Sequence, residues 1–170
     1  MRENLSYTYY ASPAGWLQLE ATDDFITALS FIDDGEATAA VAAAPVPPGS
    51  VLNQCRTQLD EYFAGKRKAF DFPFRQEGTA FQQQVWNLLT AIPYGRTLSY
   101  LELARQFGNT KAIRAVGTAN GRNRLAIVVP CHRVIGSNQK LVGYAGGLAR
   151  KKWLLDHEAR FLGGVQELGF

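Results

Sequence analysis

The stretch SYLELARQFGNTKAIRAVGTANG, residues 99–121, predicts two short helices joined by a tight turn. Its first four residues match a capping box, which starts a helix that Gly108 ends. Asn109 or Thr110 can then cap a second helix, from about Lys111 to Asn120, which stops at the next glycine.

The second of these helices has a polar and basic face, formed by Lys111, Arg114 and Thr118. A slim, basic helix behind a tight turn is what a helix-turn-helix protein inserts into a DNA groove. Any cluster of three helices produces the same pattern, so the pattern alone leaves a purely structural role open.

The flanking segments predict a mostly helical domain around this pair. Thr79 opens a capping box at the start of the preceding helix. After the pair, the pattern predicts a buried strand at Leu125–Val129, the tip of a small hairpin at Gly136–Lys140 and a last helix at Leu148–Leu162. Such a hairpin would be the wing of a winged helix.

The first part of the chain has a different character. Leu5–Tyr10, Trp16–Glu20 and Phe25–Phe31 are rich in aromatic and branched residues, which favour strands, and a helix follows at about Val51 to Ala64. Asp71–Gly78, with its proline and glycine, is interpreted as a linker. The predicted fold is therefore α/β plus α, with an α/β domain at residues 1–76 and a winged-helix-like domain at 77–170.

Charge is distributed unevenly along the 170 residues. Residues 1–80 carry 6 Lys/Arg and 11 Asp/Glu, whereas residues 81–170 carry 12 and 4. The basic half suggests a polyanionic partner such as nucleic acid, although a solvated lysine-rich surface gives the same charge. No run approaches the roughly 18 apolar residues of a membrane span, and no secretory signal pattern is present, so export is not expected.

The segment VVPCHRVIG, residues 128–136, carries the candidate chemistry. A cysteine beside a histidine and an arginine is expected to have a lowered pKa, because nearby cations favour the thiolate. Pro130 is expected to end the preceding strand and expose Cys131. Neighbours in an extended chain point to opposite sides, so contact between Cys131 and His132 needs a bridging water or a sharp turn. An inert, buried cysteine remains the alternative.

Other cysteine chemistries lack their partners. A zinc deaminase needs a second cysteine in P-C-x-x-C and an upstream H-x-E, and both are missing. A zinc site lacks ligands, because His132, His157 and two cysteines are all that the chain offers. A cysteine protease needs a histidine against the thiol and an orienting Asn or Asp. Cys55 lies on the helix predicted in the first domain and is interpreted as structural.

Glu158 is the second candidate for chemistry. It shares a face of the last predicted helix with Leu155, Ala159 and Leu162, and that face is expected to be buried. A buried carboxylate is costly unless it finds a donor or a cation. Glu158 is therefore either a rim residue with a salt bridge or the group that holds the imidazole of His132.

The motif PCHRV at residues 130–134 resembles the active-site signature of the O6-alkylguanine-DNA alkyltransferases, the methylated-DNA–protein-cysteine methyltransferases, of bacterial type. Further motifs of that family follow in order: FQQQVW at 81–86, IPYG at 92–95, RAVG at 114–117, YAGG at 144–147 and KWLLDHE at 152–158. The resemblance covers essentially all of the C-terminal half. It implies a ribonuclease-H-like α/β domain followed by a winged-helix-like DNA-binding domain that carries the site.

The resemblance also implies roles for the matching residues. Cys131 would accept the alkyl group, His132 would act through a water as its base, and Glu158 would orient the imidazole. Tyr100 would donate a proton toward the guanine ring, and Asn123 would be a hinge that supports the recognition helix and the active-site strand. The residues expected to contact DNA are Tyr100, Lys111, Arg114, Thr118 and Arg122, with Arg114 as the finger that enters the base stack. The residues expected to line the base pocket are Val134, Tyr144 and Ala145.

The implied function is direct-reversal DNA repair. An alkyl group, typically methyl, would pass from O6 of a flipped-out alkylguanine to Cys131, irreversibly and once per molecule. The implied partner is double-stranded DNA with alkylated bases, and a cytoplasmic monomer without membrane association is expected. No metal is expected, since the zinc ligands of some relatives are absent, and Gly143–Gly147 is not a dinucleotide loop.

Several alternatives stay open at this point. The chain could be a non-enzymatic sensor of alkyl lesions or a winged-helix DNA-binding regulator. The sequence does not decide among methyl, bulkier alkyl and thymine O4 lesions, nor whether the protein assembles cooperatively on DNA. Arg124 also follows the expected hinge where many relatives have proline, which leaves the stiffness of the hinge open.

Overall fold

The computed structural model describes residues 3–34, 36 and 45–163, and the chain divides into two compact units, Met1–Gln76 and Glu77–Phe170. The boundary lies within the segment interpreted as a linker. None of the described helices is long and apolar enough to cross a membrane.

The first unit is built on a three-stranded antiparallel sheet in the order β1-β2-β3, formed by Ser6–Ser12, Gly15–Ala21 and Ile26–Phe31. The three strands predicted from the sequence are confirmed, apart from a residue or two at their ends. The chain turns tightly between β1 and β2, where the Ser12 hydroxyl accepts a hydrogen bond from the Ala14 amide. Gly15 adopts a φ of +129° there, which favours glycine.

Helix α1, Val51–Phe63, begins at Ser50, whose side chain accepts a hydrogen bond from the Asn53 amide. Its buried face includes Cys55 and Leu59, both completely inaccessible to solvent. Burial raises the pKa of the Cys55 thiol, so this thiol stays protonated. Its position agrees with the structural role predicted for it.

Part of the segment interpreted as a linker pairs with the sheet. The Ile26 amide donates to Pro73 O at 3.0 Å and the Arg75 amide donates to Ile26 O at 2.9 Å, so Phe74 forms a parallel bridge to Ile26. The linker prediction is wrong for these residues, because proline content indicates an irregular backbone but not its hydrogen-bonding partners.

The second unit is mainly helical. Its helices are α2 (Ala80–Thr90), α3 (Tyr100–Phe107), α4 (Ile113–Gly121) and α5 (Leu148–Phe161). A 3-10 turn, Thr110–Ala112, leads into α4. Two short strands, β4 (Leu98–Ser99) and β5 (Val134–Ile135), pair in parallel.

The helix starts predicted for the second unit are confirmed. Thr79 and Gln82 form a reciprocal capping box at α2, and the Ser99 side chain accepts from the Glu102 amide at α3. Gly108 ends α3 in the left-handed conformation, with φ +99°. Asn109, rather than Thr110, caps the next segment. The indole of Trp86 on α2 also donates to a carbonyl of α4, Ala119 O, at 2.9 Å.

The strand predicted at Leu125–Val129 is wrong. All of these residues except the half-buried Ala126 are buried, but residues 126–128 form a turn, with a hydrogen bond from the Val129 amide to Leu125 O at 2.9 Å. Ile127 has a φ of +72°, which is unusual for a branched residue and incompatible with a strand. The branched residues predicted burial correctly, but burial here does not come with a strand ladder.

The hairpin predicted at Gly136–Lys140 is also wrong, although its turn exists. The Gly136 amide donates to Lys140 O at 2.8 Å, which closes the turn. β5 pairs in parallel with β4, and residues 141–147 form no strand that could pair back on it. The segment is therefore a turn followed by a loop.

Candidate active site

Cys131, His132 and Arg133 form one turn of 3-10 helix between Pro130 and β5. The Cys131 amide donates to Val129 O at 2.8 Å, and the Arg133 amide donates to Pro130 O at 3.0 Å. Since a 3-10 helix has about three residues per turn, consecutive side chains leave its axis about 120° apart. The sharp turn that the sequence left as one alternative is present, and Cys131 and His132 have different partners.

Cys131 is held by a side-chain amide. Its Sγ lies 3.2 Å from Asn123 Nδ2, and it is 7 % exposed. The same nitrogen donates to Val129 O at 2.7 Å, while Asn123 Oδ1 accepts from the Leu125 amide at 3.1 Å. Asn123 thus connects the end of α4, the turns at 125–129 and the cysteine.

Burial raises the pKa of the Cys131 thiol, and the hydrogen bond from Asn123 and the charge of Lys151 offset only part of this effect. The lowered pKa predicted from the neighbouring histidine and arginine is therefore wrong. Both neighbours bind Glu158 instead, so the Arg133 charge is compensated by a carboxylate. The resting group is a thiol, which needs a base before it can act as a nucleophile.

Glu158 is the centre of a buried polar cluster. Its side chain is completely buried and lies 2.8 Å from His132 Nε2. It accepts hydrogen bonds from Arg133 Nε at 2.8 Å, from Arg133 Nη2 at 3.0 Å and from the Gly95 amide at 3.3 Å. Burial opposes its charge, but the hydrogen bonds from His132 and Arg133, together with the positive charge of Arg133, outweigh burial and lower its pKa. Glu158 is therefore a carboxylate.

The face of α5 that carries Glu158 differs from the predicted one. Its buried residues are Lys151, Leu154, His157 and Glu158, whereas Leu155 is half-buried and Ala159 is exposed. The prediction followed the leucines and alanine, but the helix buries polar groups that have partners.

His132 is also completely buried. Burial lowers its pKa; Glu158 opposes this shift, and the positive charges of Arg133 and Lys151 add to it. The imidazole is therefore neutral at pH 7. Since a carboxylate only accepts hydrogen bonds, Nε2 carries the ring hydrogen and Nδ1 is an acceptor. Nδ1 is buried and has no hydrogen-bonding partner among the described residues, so it is available to take a proton.

A cavity of about 130 Å³ lies beside Cys131. The residues that line it are Tyr100, Gly117, Asn120, Gly121, Asn123, Cys131, Gly143, Tyr144 and Ala145. They include Tyr144 and Ala145, which the sequence assigns to the base pocket. Val134, the third residue of that assignment, does not line the cavity: its side chain is fully buried in β5, and its carbonyl accepts from Lys151 Nζ at 2.6 Å.

Tyr100 lies at the start of α3, with its hydroxyl 3.5 Å from Val142 O. Burial raises its pKa, a negative charge on Cys131 during the reaction would add to this shift, and a hydrogen bond with Asn120 lowers the pKa in part. Tyr100 therefore stays protonated at neutral pH and has a hydrogen to donate into the cavity.

Four of the five residues predicted to contact DNA lie on an exposed face of the α4 segment, and the fifth, Tyr100, is half-buried at the start of α3. Lys111, Arg114, Thr118 and Arg122 are all exposed and recur at helical spacing. The three cations among them have no salt-bridge partner in the described part of the chain, so their charges are available to an anionic ligand. No group of three or more His, Cys, Asp or Glu side chains that could hold a metal occurs among the described residues.

Family models account for most of the chain. Residues 5–76 match the ribonuclease-like domain of 6-O-methylguanine DNA methyltransferase, and residues 80–160 match its DNA binding domain. The chain belongs to the methylated-DNA–protein-cysteine methyltransferase family. The resemblance seen in the PCHRV motif and its companions is confirmed.

Individual methyltransferases of this family match along most of their length. The enzyme of Methanosarcina acetivorans is 45% identical over 152 residues, which cover 89% of this chain and 97% of the relative. The constitutive enzyme of Bacillus subtilis is 45% identical over 158 residues, covering 89% and 94%. Among solved structures, Mycobacterium tuberculosis OGT in complex with DNA has a TM-score of 0.80 and 45% identity, covering 92% of this chain and 94% of that chain. The name of the relatives states their reaction, methyl transfer from methylated DNA to a protein cysteine.

Sequence reasoning missed two residues of this methyltransferase site. Lys151 is completely buried, and its ammonium donates to Val134 O, Val142 O and Gly143 O at 2.6, 2.9 and 3.2 Å. It thereby ties β5 to the loop that lines the cavity. The spacing of Lys151 to Leu154 and Glu158 on one helix face was the available signal.

The other missed residue is Asn120, which is 5 % exposed and lines the cavity. Its Oδ1 has no hydrogen-bonding partner among the described residues. Asparagine near a helix end predicts a cap or a turn, so the sequence carried no signal for this position.

Proposed function

We propose that this chain repairs alkylated DNA by moving the alkyl group from O6 of a flipped-out guanine to Sγ of Cys131. The observation that carries the proposal is the position of the Cys131 thiol, which lies in the wall of a cavity and accepts a hydrogen bond from Asn123. The next residue in the chain, His132, is a neutral imidazole that contacts the buried carboxylate of Glu158. Asn123 is assigned as the hinge that holds Cys131 in register with α4.

The proton and the electron pairs balance without a cofactor. The thiol proton of Cys131 passes through a water to Nδ1 of His132, while Glu158 fixes the ring. The sulfur electron pair forms a bond to the alkyl carbon, the bond from that carbon to O6 breaks, and its electron pair stays with the base. Tyr100 donates a proton to the base and regains one from the His132 imidazolium through water, so the proton lost by the thiol equals the one that the base gains. The product is a thioether with no easy reverse step, so each molecule reacts once.

The lesion reaches the thiol by base flipping. O6 of a stacked guanine lies out of reach of a side chain, and extrusion costs a few kcal/mol. We assign Arg114 to the gap that the extruded base leaves in the base stack, where insertion of its side chain offsets part of the free energy of extrusion. Lys111, Thr118 and Arg122 are assigned to the DNA backbone, so affinity is expected to depend little on sequence and to fall with salt. The DNA complex of the Mycobacterium tuberculosis relative supports DNA as the partner.

The finer fold assignments belong to the same proposal. The ribonuclease-like description of the first family model supports a ribonuclease-H-like first domain. The α3–α4 pair supports a winged-helix-like second domain in which the loop at 136–147 stands in place of the wing. We expect a monomer in the reducing cytoplasm, where the Cys131 thiol stays unoxidised.

The two alternative functions are less well supported. A lesion sensor needs no nucleophile, and a sequence-specific regulator needs no cavity beside its recognition helix. The pairing of a thiol with a base and a cavity favours transfer over both.

Intact-mass spectrometry tests the proposal directly. Protein mixed with duplex DNA that contains a single O6-methylguanine is expected to gain the mass of one methylene unit, and peptide mapping is expected to locate the new methyl group on Cys131. Cys131→Ala should gain nothing yet still bind the duplex, whereas Cys55→Ala, the matched control, should react normally. A folded sample that gains no mass, or gains it on Cys55, would remove the proposal. The same assay with O4-methylthymine and bulkier O6 groups gives the lesion range.

A further inference from the structure

Arg133 makes several contacts in the buried cluster that the transfer of the alkyl group does not itself use. Its guanidinium donates through Nε and Nη2 to the two oxygens of Glu158, and through Nη1 to Ile92 O at 2.7 Å. It also lies 5.7 Å from the centre of the Tyr94 ring. The side chain is thus held on three sides and is only 7 % exposed.

Glu158 is shared between two donors with different chemistry. Arg133 is always charged and binds a carboxylate in a fixed, two-pronged geometry. His132 binds one oxygen of the same carboxylate at 2.8 Å and changes its charge readily. What Arg133 does to Glu158 is therefore transmitted to the imidazole.

Without Arg133, the buried cluster could gain a proton in two different places, on Glu158 or on His132. A buried Glu158 without a cation could take up a proton, and a protonated carboxyl no longer dictates which ring nitrogen of His132 carries hydrogen. Alternatively, its full charge could draw a proton onto His132, and an imidazolium cannot act as a base. Arg133 opposes both outcomes, because it keeps Glu158 ionised while compensating its charge.

We infer that Arg133 is a positioning residue for the alkyl transfer: its guanidinium holds Glu158 by two hydrogen bonds, so that His132 keeps its ring hydrogen on Nε2 and offers a bare Nδ1 to the thiol proton. The inference rests on the proposed function, because it assigns a role in the same reaction. Arg133 touches neither the cavity nor the thiol in the contacts above and acts only through Glu158.

The direction of the pH effect follows from the groups that face His132. These groups are Glu158 and Lys151 from α5 and Arg133 from its own turn, with Tyr94 beyond Arg133. Arg133 lowers the pKa of His132, so its removal raises that pKa. The rate requires the neutral ring, so the acid limb of the pH–rate profile should move to higher pH. The acid limb follows protonation of His132, because an imidazolium cannot take up the thiol proton.

Single-turnover transfer rates from pH 5.5 to 9.5 test this inference on the full chain with the methylated duplex. Arg133→Met is expected to move the acid limb upward by about one pH unit. Arg133→Lys keeps the charge but not the two-pronged contact. The acid limb of its pH–rate profile should therefore stay within about 0.3 pH unit of the unsubstituted protein, while the maximal transfer rate falls about tenfold. Arg160→Met removes an exposed arginine from α5 and is the matched control, which should behave as the unsubstituted protein.

The outcomes separate the possible failures. If the unsubstituted protein gains no methyl group, the proposed function fails; if it reacts normally and neither Arg133 variant changes limb or plateau per folded molecule, only this inference fails. If Arg133→Met does not fold, Arg133→Lys still tests the inference. An unchanged maximal transfer rate in Arg133→Lys contradicts the role of the two hydrogen bonds to Glu158. Nitrogen NMR of the unsubstituted protein gives an independent reading: a neutral His132 with hydrogen on Nε2 is expected at pH 7, and an imidazolium or the other tautomer overturns the inference.

Discussion

Replacing Glu158 with glutamine should damage both the stability and the chemistry of the second unit. The substitution keeps the size of the side chain but removes its charge and turns one acceptor into a donor. Two donors, His132 Nε2 and Arg133 Nη2, currently share one oxygen of Glu158. An amide nitrogen facing either of them would leave that donor without an acceptor, and Arg133 would lose its counter-charge.

The size of the effect follows from burial. The Arg133 and Glu158 side chains are 7 % and 0 % exposed, so solvent does not screen the pair. Removing one partner of such a buried pair costs about 3–5 kcal/mol. With an m-value of about 2 kcal/mol per molar urea, the unfolding midpoint should fall by about 2 M. The transfer rate per folded molecule should fall at least about 100-fold, the lower range for a general base, because the imidazole loses its fixed tautomer.

Urea unfolding followed by tryptophan fluorescence measures the first effect. Trp86 and Trp153 lie in the second unit, so a Trp16→Phe background confines the signal to that unit. Asp156→Asn is the matched control on the same helix; its carboxylate is 65% exposed and pairs with an exposed lysine, so the change should stay below about 0.5 kcal/mol. A loss under about 1 kcal/mol for Glu158→Gln, with transfer within about threefold of normal, would refute the reasoning.

Three further predictions concern other residues. Tyr100→Phe should slow transfer about 10- to 100-fold while lesion binding by fluorescence anisotropy stays nearly constant; a large loss of binding would reassign the hydroxyl to positioning. Arg114→Ala should slow repair of duplex DNA more than repair of the free modified base, and equal slowing of both would exclude a role in flipping. Stability should fall as pH drops from about 6.5 toward the lower folded-state pKa of His132, because the unfolded chain binds that proton first; His132→Gln should remove this part of the slope, and an unchanged slope would contradict the assignment.

Local signals were the part of the fold that the sequence predicted well. The helix caps at Thr79, Ser99 and Asn109 use side chains that bond to amides two or three residues away, so a short window of sequence contains all the partners. The end of α3 was equally predictable, because it depends on the left-handed conformation of a single residue, Gly108. The three strands of the first unit were predictable because aromatic and branched residues, which favour strands, are concentrated in short runs.

Features that depend on distant partners were not predictable in this way. The branched residues at 125–129 read as a strand, but the side chain of Asn123 bonds to this segment and Ile127 takes a positive φ. The lowered pKa expected for Cys131 assumed that adjacent charges act on it, whereas both bind a carboxylate 25 or 26 residues further along. Lys151 received no role from the sequence, because its three carbonyl partners belong to loops and to β5.

The 3-10 turn at Cys131–Arg133 has a consequence for how this segment tolerates change. It assigns a separate direction to each of three successive positions, so insertion or deletion of one residue rotates every later side chain by about 120°. His132 would then occupy the direction of its neighbour, and no rotamer could restore the arrangement. We therefore expect the spacing between Pro130 and Val134 to be fixed in length, even where conservative exchanges at β5 are accepted.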